Sequence, residues 1–301
     1  MRAPDSPTTA ERRALDQLAL PDGTFAVLAN DQRVSLRKMR AQHSQPVDDD
    51  ALRAVKSAVV STLAPHASAV LLDPQLSLPH LVDVGAQPGR QGLLISLEES
   101  KDRSTAEGRV TTLLPDFGAQ GVRRLGGTAA KLLVTLRTDR ADETESVTSL
   151  VAQALHDCRA HDLLLVVEVL VDRLPEEDET LFAGRFGDLL VDSASAVADV
   201  GVSMLKLPYP GDAASCAKVS ALGVPWAVLS AGADFQTFLD RLDTAVANGC
   251  HGFVVGRTLW QDAVVLEPAA CQDHLDQHGV ARLQEMTMRL RPATSWRVTL
   301  R

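Results

Sequence analysis

Eight short apolar runs recur along the chain, each ended by turn residues or a polar stretch. They are TFAVLAND (24–31), ASAVLLDP (67–74), GLLISLEES (92–100), AAKLLVTLR (129–137), DLLLVVEVLV (162–171), SMLKLP (203–208), PWAVLSAG (225–232) and GFVVGRTLW (252–260). None alternates cleanly between polar and apolar residues, which is the pattern of strands buried on both faces in a parallel sheet. Between them lie segments with helical spacing. DDDALRAVKSAVVSTLAPHA opens with acids suited to a helix N-terminus and stops at Pro65. ETESVTSLVAQALHDCRAHD and DFQTFLDRLDTAVANGC place apolar residues at i, i+3, i+4 and i+7, and GDLLVDSASAVADVG is a further helical segment before the sixth run. Strand then helix, eight times in roughly 240 residues, is the arithmetic of a single (β/α)8 barrel of the α/β class, a TIM barrel. The runner-up is a doubly wound open sheet, but no G-x-G-x-x-G follows the first run.

The 301 residues, 45% of them hydrophobic, suffice for one large core. Residues 1–20 read as an N-terminal extension, disordered to about residue 12 with a short helix before Pro21. Residues 21–290 read as the barrel and 291–301 as a tail, in which Trp296 either meets an interface or caps the barrel. A net charge of -9 with no Lys/Arg-dense block argues against nucleic acid or an anionic membrane as partner. The four cysteines (Cys158, Cys216, Cys250, Cys271) are scattered without a C-x-x-C pair, so neither a disulfide framework nor a zinc ribbon is expected. The opening residues lack an apolar leader and no run is long enough to span a bilayer, so a cytoplasmic location is expected.

Barrel chemistry gathers at the C-terminal strand ends. There the first run ends in Asp31-Gln32-Arg33, the second in Asp73 and the third in Glu98-Glu99. The fourth carries Lys131, the fifth Glu168 and the sixth Lys206; the seventh ends Ser230-Ala231-Gly232 and the eighth carries Gly256-Arg257. Lys131, Glu168 and Lys206 lie inside three neighbouring runs, where charge costs more than apolar packing. A structural ion-pair layer accounts for them, and so does covalent amine catalysis. A lysine attacks a carbonyl only when neutral, a state promoted by burial or a neighbouring cation, and Lys206 beside Lys131 is expected to have both. A nearby carboxylate would shuttle protons through carbinolamine, imine and enamine. After the seventh and eighth runs, SAG and VGR place small residues where barrels commonly hold a phosphate, with Arg257 as an added grip. No cofactor and no metal are expected: His274 and His278 in CQDHLDQH share a helix face that reads as solvated.

The stretches FAVLANDQRVSLRKM, ASAVLLDPQ, GGTAAKLLVTLR, PWAVLSAGADFQTF and GFVVGRTLW resemble the tagatose-bisphosphate aldolase family, most closely its sulfofructosephosphate aldolase relatives. The likeness runs from about Gly23 to Trp260. It implies a TIM-barrel, metal-independent, Schiff-base aldolase acting on a phosphorylated, possibly sulfonated, ketose, and a homo-oligomer. By that resemblance Lys206 matches the imine-forming lysine, Lys131 the second lysine, and Glu168 the acid/base. Asp31 and Gln32 match the pair that contacts substrate hydroxyls; Ser230, Gly232, Gly256 and Arg257 match the phosphate site of dihydroxyacetone phosphate. Arg33, Lys101 or Arg103 are the candidates for the far anionic group. Relatives usually read Lys-Val-Glu-x-Pro at the reactive lysine, whereas this chain reads LKLPYPG, without the glutamate. Beside cleavage of 6-deoxy-6-sulfofructose 1-phosphate or of tagatose or fructose 1,6-bisphosphate stand a transaldolase or deoxyribose-phosphate-type reaction and a non-catalytic sugar-phosphate-binding barrel.

Overall fold

The computed structural model describes residues 7–87, 89, 91–100, 103–105, 108–291 and 296–299, with the backbone alone for 103–105, 108, 109, 298 and 299. The eight apolar runs form eight strands: β1 (Phe25–Asn30), β2 (Ala69–Leu72), β3 (Gly92–Ser96), β4 (Ala129–Thr135), β5 (Leu164–Leu170), β6 (Met204–Pro208), β7 (Trp226–Leu229) and β8 (Gly252–Val255). All pair in parallel in chain order, and β1 closes on β8 with Phe25 opposite Gly252, giving a (β/α)8 barrel.

Alternation along each strand separates two cores. Outward residues such as Ala26 and Leu28 pack with the helices, while inward residues such as Phe25, Val27, Leu71, Leu94, Ala129, Leu164, Val166 and Met204 fill the barrel. The expected helices form at Asp49–Leu63, Ala141–Ala160, Glu179–Ala198 and Phe235–Ala247. Asp48 and Asp234 cap two of them, each accepting from a backbone N–H three residues on. No helix among the described residues is long and apolar enough to cross a membrane.

Two elements depart from the sequence expectation. The N-terminal helix spans Thr9–Leu18 and so begins inside the stretch expected to be disordered, because Thr8 and Glu11 make a reciprocal capping box. Its buried Leu15 and Leu18 close the floor of the barrel together with Trp296, which therefore caps the barrel. A two-stranded hairpin, residues 103–105 and 108–110, also stands between β3 and β4, where no strand was expected.

Candidate active site

The inward positions change character towards the C-terminal strand ends. Below lie apolar residues; above them come Ser96, Lys131, Glu168 and Lys206. Register puts Glu168 directly beside Lys206 on β6, and Lys131 beside Ser96 on β3. One oxygen, Glu168 Oε2, lies 2.9 Å from Lys206 Nζ and 2.7 Å from Lys131 Nζ, so both ammonium groups meet on it. All three residues are at least nine-tenths buried.

Lys131 is further held by Glu98 Oε1 at 2.6 Å and Asp31 Oδ2 at 3.4 Å. Burial alone would drive the Lys131 ammonium towards neutrality, but Glu168, Glu98 and Asp31 outweigh it and hold its pKa well above 10.5. Burial likewise pushes the Glu168 carboxyl up, and Lys131 with Lys206 bring it below the ordinary range; the same lysines do so for Asp31. Lys131 is thus a fixed cation between carboxylates. Glu98 escaped the sequence reading as a member of this cluster. Its signal was parity, since Leu94, Ser96 and Glu98 continue one inward row beyond β3. The segment after β3 folds back to hold it: Glu98 bridges to Leu113, and its Oε2 accepts from Leu133 N–H at 3.2 Å.

Asp31 and Gln32 follow β1 at the rim. Asp31 Oδ1 and Gln32 Oε1 are buried without a hydrogen-bond partner among the described residues, as are the hydroxyls of Ser96 and Thr135. A folded protein seldom leaves such atoms unmade, and four acceptors or hydroxyls at one barrel mouth fit a polyhydroxylated ligand.

The loops after β7 and β8 meet. Ala231 and Gly232 both adopt positive φ, 52° and 83°, and a Cβ on Gly232 would lie 3.4 Å from the Arg257 guanidinium carbon. Arg257 is half-buried, and its guanidinium has no hydrogen-bond or ion-pair partner among the described residues. Ser230 is buried at the end of β7. Gly256 packs so closely on β1 that a Cβ would lie 2.4 Å from Ala29 O and 3.3 Å from Gln32 Nε2. The arrangement joins an unpaired guanidinium, backbone turns and the Gln32 amide beside the lysine cluster, which is a setting for an anionic group next to a buried amine.

A family model, DeoC/LacD family aldolase, matches residues 25–262, from β1 to beyond β8. The chain belongs to this family. As a DeoC/LacD aldolase it is a lyase, and its relatives match it end to end. Tagatose 1,6-diphosphate aldolase 2 of Streptococcus pyogenes serotype M3 is 25% identical over 96% of this chain and 97% of its own. Tagatose 1,6-diphosphate aldolase of Staphylococcus haemolyticus is 26% identical over 94% and 97%. Among solved structures, a Schiff-base-forming fructose-1,6-bisphosphate aldolase shares the fold at TM-score 0.65 and 16% identity, covering 93% of this chain and 99% of that one.

Of the remaining sequence candidates of this aldolase, Arg33 contacts neither lysine of the cluster. Arg33 is buried and donates to Gln75 Oε1 and, at 2.7 Å, to the Glu98 carbonyl. Lys101 lies outside the described residues, as does the side chain of Arg103. The rings of His274 and His278 lie 4.6 Å apart, tilted by 50°, beyond β8.

Proposed function

We propose that the protein cleaves a ketose 1-phosphate to dihydroxyacetone phosphate and an aldehyde through an imine on Lys206. The observation that supports this most is the shared oxygen of Glu168, which holds Lys206 beside a permanently charged Lys131 inside the barrel. Arg257, Ser230 and the N–H groups around Gly232 and Gly256 bind the 1-phosphate and so present C2 to Lys206. Glu168 takes the proton that leaves Lys206 on attack and returns one to the carbinolamine hydroxyl, which departs as water. Lys131 balances Glu168 as that carboxylate changes protonation. Asp31, with Oδ1 partnerless, takes the C4 hydroxyl proton. The C3–C4 bond breaks, its electron pair enters the iminium, and the aldehyde leaves. Protonation of the enamine at C3 and attack by water then release dihydroxyacetone phosphate and the free amine.

The relatives' names support tagatose 1,6-bisphosphate as the ketose, and the name of the similar solved structure adds fructose 1,6-bisphosphate beside it. A second reading puts a sulfonate at the far end, as in 6-deoxy-6-sulfofructose 1-phosphate, which would release sulfolactaldehyde. It is favoured by the resemblance of the quoted stretches and by the rim charges. Among the described residues Arg37 and Arg137 are already paired with carboxylates. A sulfonate carries one charge where a phosphate monoester carries about 1.5 to 2, and asks less of free cations. Measuring dihydroxyacetone phosphate release from the sulfonated and bisphosphorylated ketoses decides between them by the higher kcat/KM. Tight binding of all three with no cleavage of any would contradict the enzyme reading and favour a binding barrel.

A further inference from the structure

Helix Asp49–Leu63 buries one apolar stripe of Leu52, Val55, Val59, Val60 and Leu63, and within it sits Lys56, wholly inaccessible to solvent. Its Nζ lies 2.9 Å from Asp73 Oδ2, itself fully buried, and donates to Asn30 twice, at the carbonyl oxygen (2.5 Å) and the side-chain oxygen (3.1 Å). All three ammonium donors are used. Asp73 in turn shapes the loop after β2: Oδ1 accepts from the N–H groups of Gln75 and Leu76 at 3.0 and 2.6 Å, and Oδ2 from the Ser77 hydroxyl at 2.6 Å.

A buried ion pair is a poor way to gain stability, since well-packed apolar residues in its place often serve as well or better. Its worth here lies in what it touches. Asn30 is the last residue of β1, and Asp31 and Gln32 follow it. On the other side Arg33 is tied to Gln75 of the same Asp73-shaped loop and to the Glu98 carbonyl. Asp31 and Gln32 are therefore flanked by two anchored neighbours. Among the described residues Asp31's own side chain has one ion-pair contact, the long one to Lys131 at 3.4 Å, and its second oxygen has none. Its aim comes from the backbone.

Resting on the aldolase reading above, we propose that the Lys56–Asp73 pair is a positioning device for C–C cleavage: it fixes the end of β1 so that Asp31 and Gln32 meet the substrate hydroxyls. Imine formation uses Lys206 and Glu168 on the opposite side of the cluster and does not need it. The two half-reactions should separate.

The test uses the full chain carrying K56M with D73N, which removes the strap without leaving an unpaired buried charge and keeps an acceptor at position 73. Borohydride trapping with dihydroxyacetone phosphate reads imine formation, and kcat for ketose cleavage reads the second half. The expected result is trapping at the wild-type yield, kcat lower by about 10–100-fold and KM little changed. N30A removes the side-chain half of the strap and leaves the ion pair intact; it should show a smaller loss in the same direction, and decides the matter if the double variant does not fold. Cleavage unchanged, or trapping and cleavage falling in parallel, would overturn the proposal and leave the pair a structural one. If the wild-type protein forms no adduct at all, the aldolase reading itself fails and the positioning role falls with it.

Discussion

Lys131 sets the electrostatics of the cluster, because three carboxylates converge on it. Asp31 and Glu168 have pKa values depressed below their ordinary 3.8 and 4.5, so each contributes stability that is present above those values and lost as pH falls through the depressed ones. Lys131 is raised above 10.5, and its contribution is present below that value and lost as pH rises through the raised one. K131M leaves the carboxylates buried without their counter-ion and should cost about 3–5 kcal/mol near neutral pH. Chemical denaturation across pH checks it: the deficit should shrink as pH falls, because burial without the ammonium raises the carboxylates and the variant takes up protons before the wild type does. A deficit independent of pH would mean that Lys131 acts by packing alone. At this scale the sequence revealed Lys206, Lys131 and Glu168, because each interrupts an apolar run. Lys56 interrupts a helical stripe in the same way, yet lysine is so common on helix surfaces that one face of period 3.6 hides it.

Among the elements, the strands were legible and the loops between them less so. Burial on both faces makes each barrel strand an unbroken apolar run, whereas RSTAEGRV (103–110) contains no such run. Glu98 was obscured for the same reason, since its place depends on how the segment through Leu113 folds back. The loops proposed to hold the phosphate were readable only in company. SAG or VGR alone ends a strand, and their meaning came from standing seventh and eighth. The structure adds why position 256 is glycine, with Ala29 O against its Cα. G256A should push β8 from β1, costing about 1–3 kcal/mol in thermal unfolding, and should raise KM for the ketose 1-phosphate by displacing Arg257. A stable G256A protein with unchanged KM would remove this loop from the phosphate site.

Over the whole molecule, the barrel interior is a gradient. Leu15, Leu18 and Trp296 close its floor, apolar layers fill its middle, and the two lysines and their carboxylates occupy its upper part under a rim of partnerless polar atoms. Desolvation at that depth makes the ion cluster costly to build, and a reactive amine is what would repay the cost. Borohydride reduction of the intact protein in the presence of dihydroxyacetone phosphate, followed by peptide mass spectrometry, tests that claim most directly. The predicted result is one reduced adduct per chain, on Lys206, absent in K206M and present in a variant altered only at His274. An adduct on Lys131 instead, or no adduct while the ligand still binds, would contradict it.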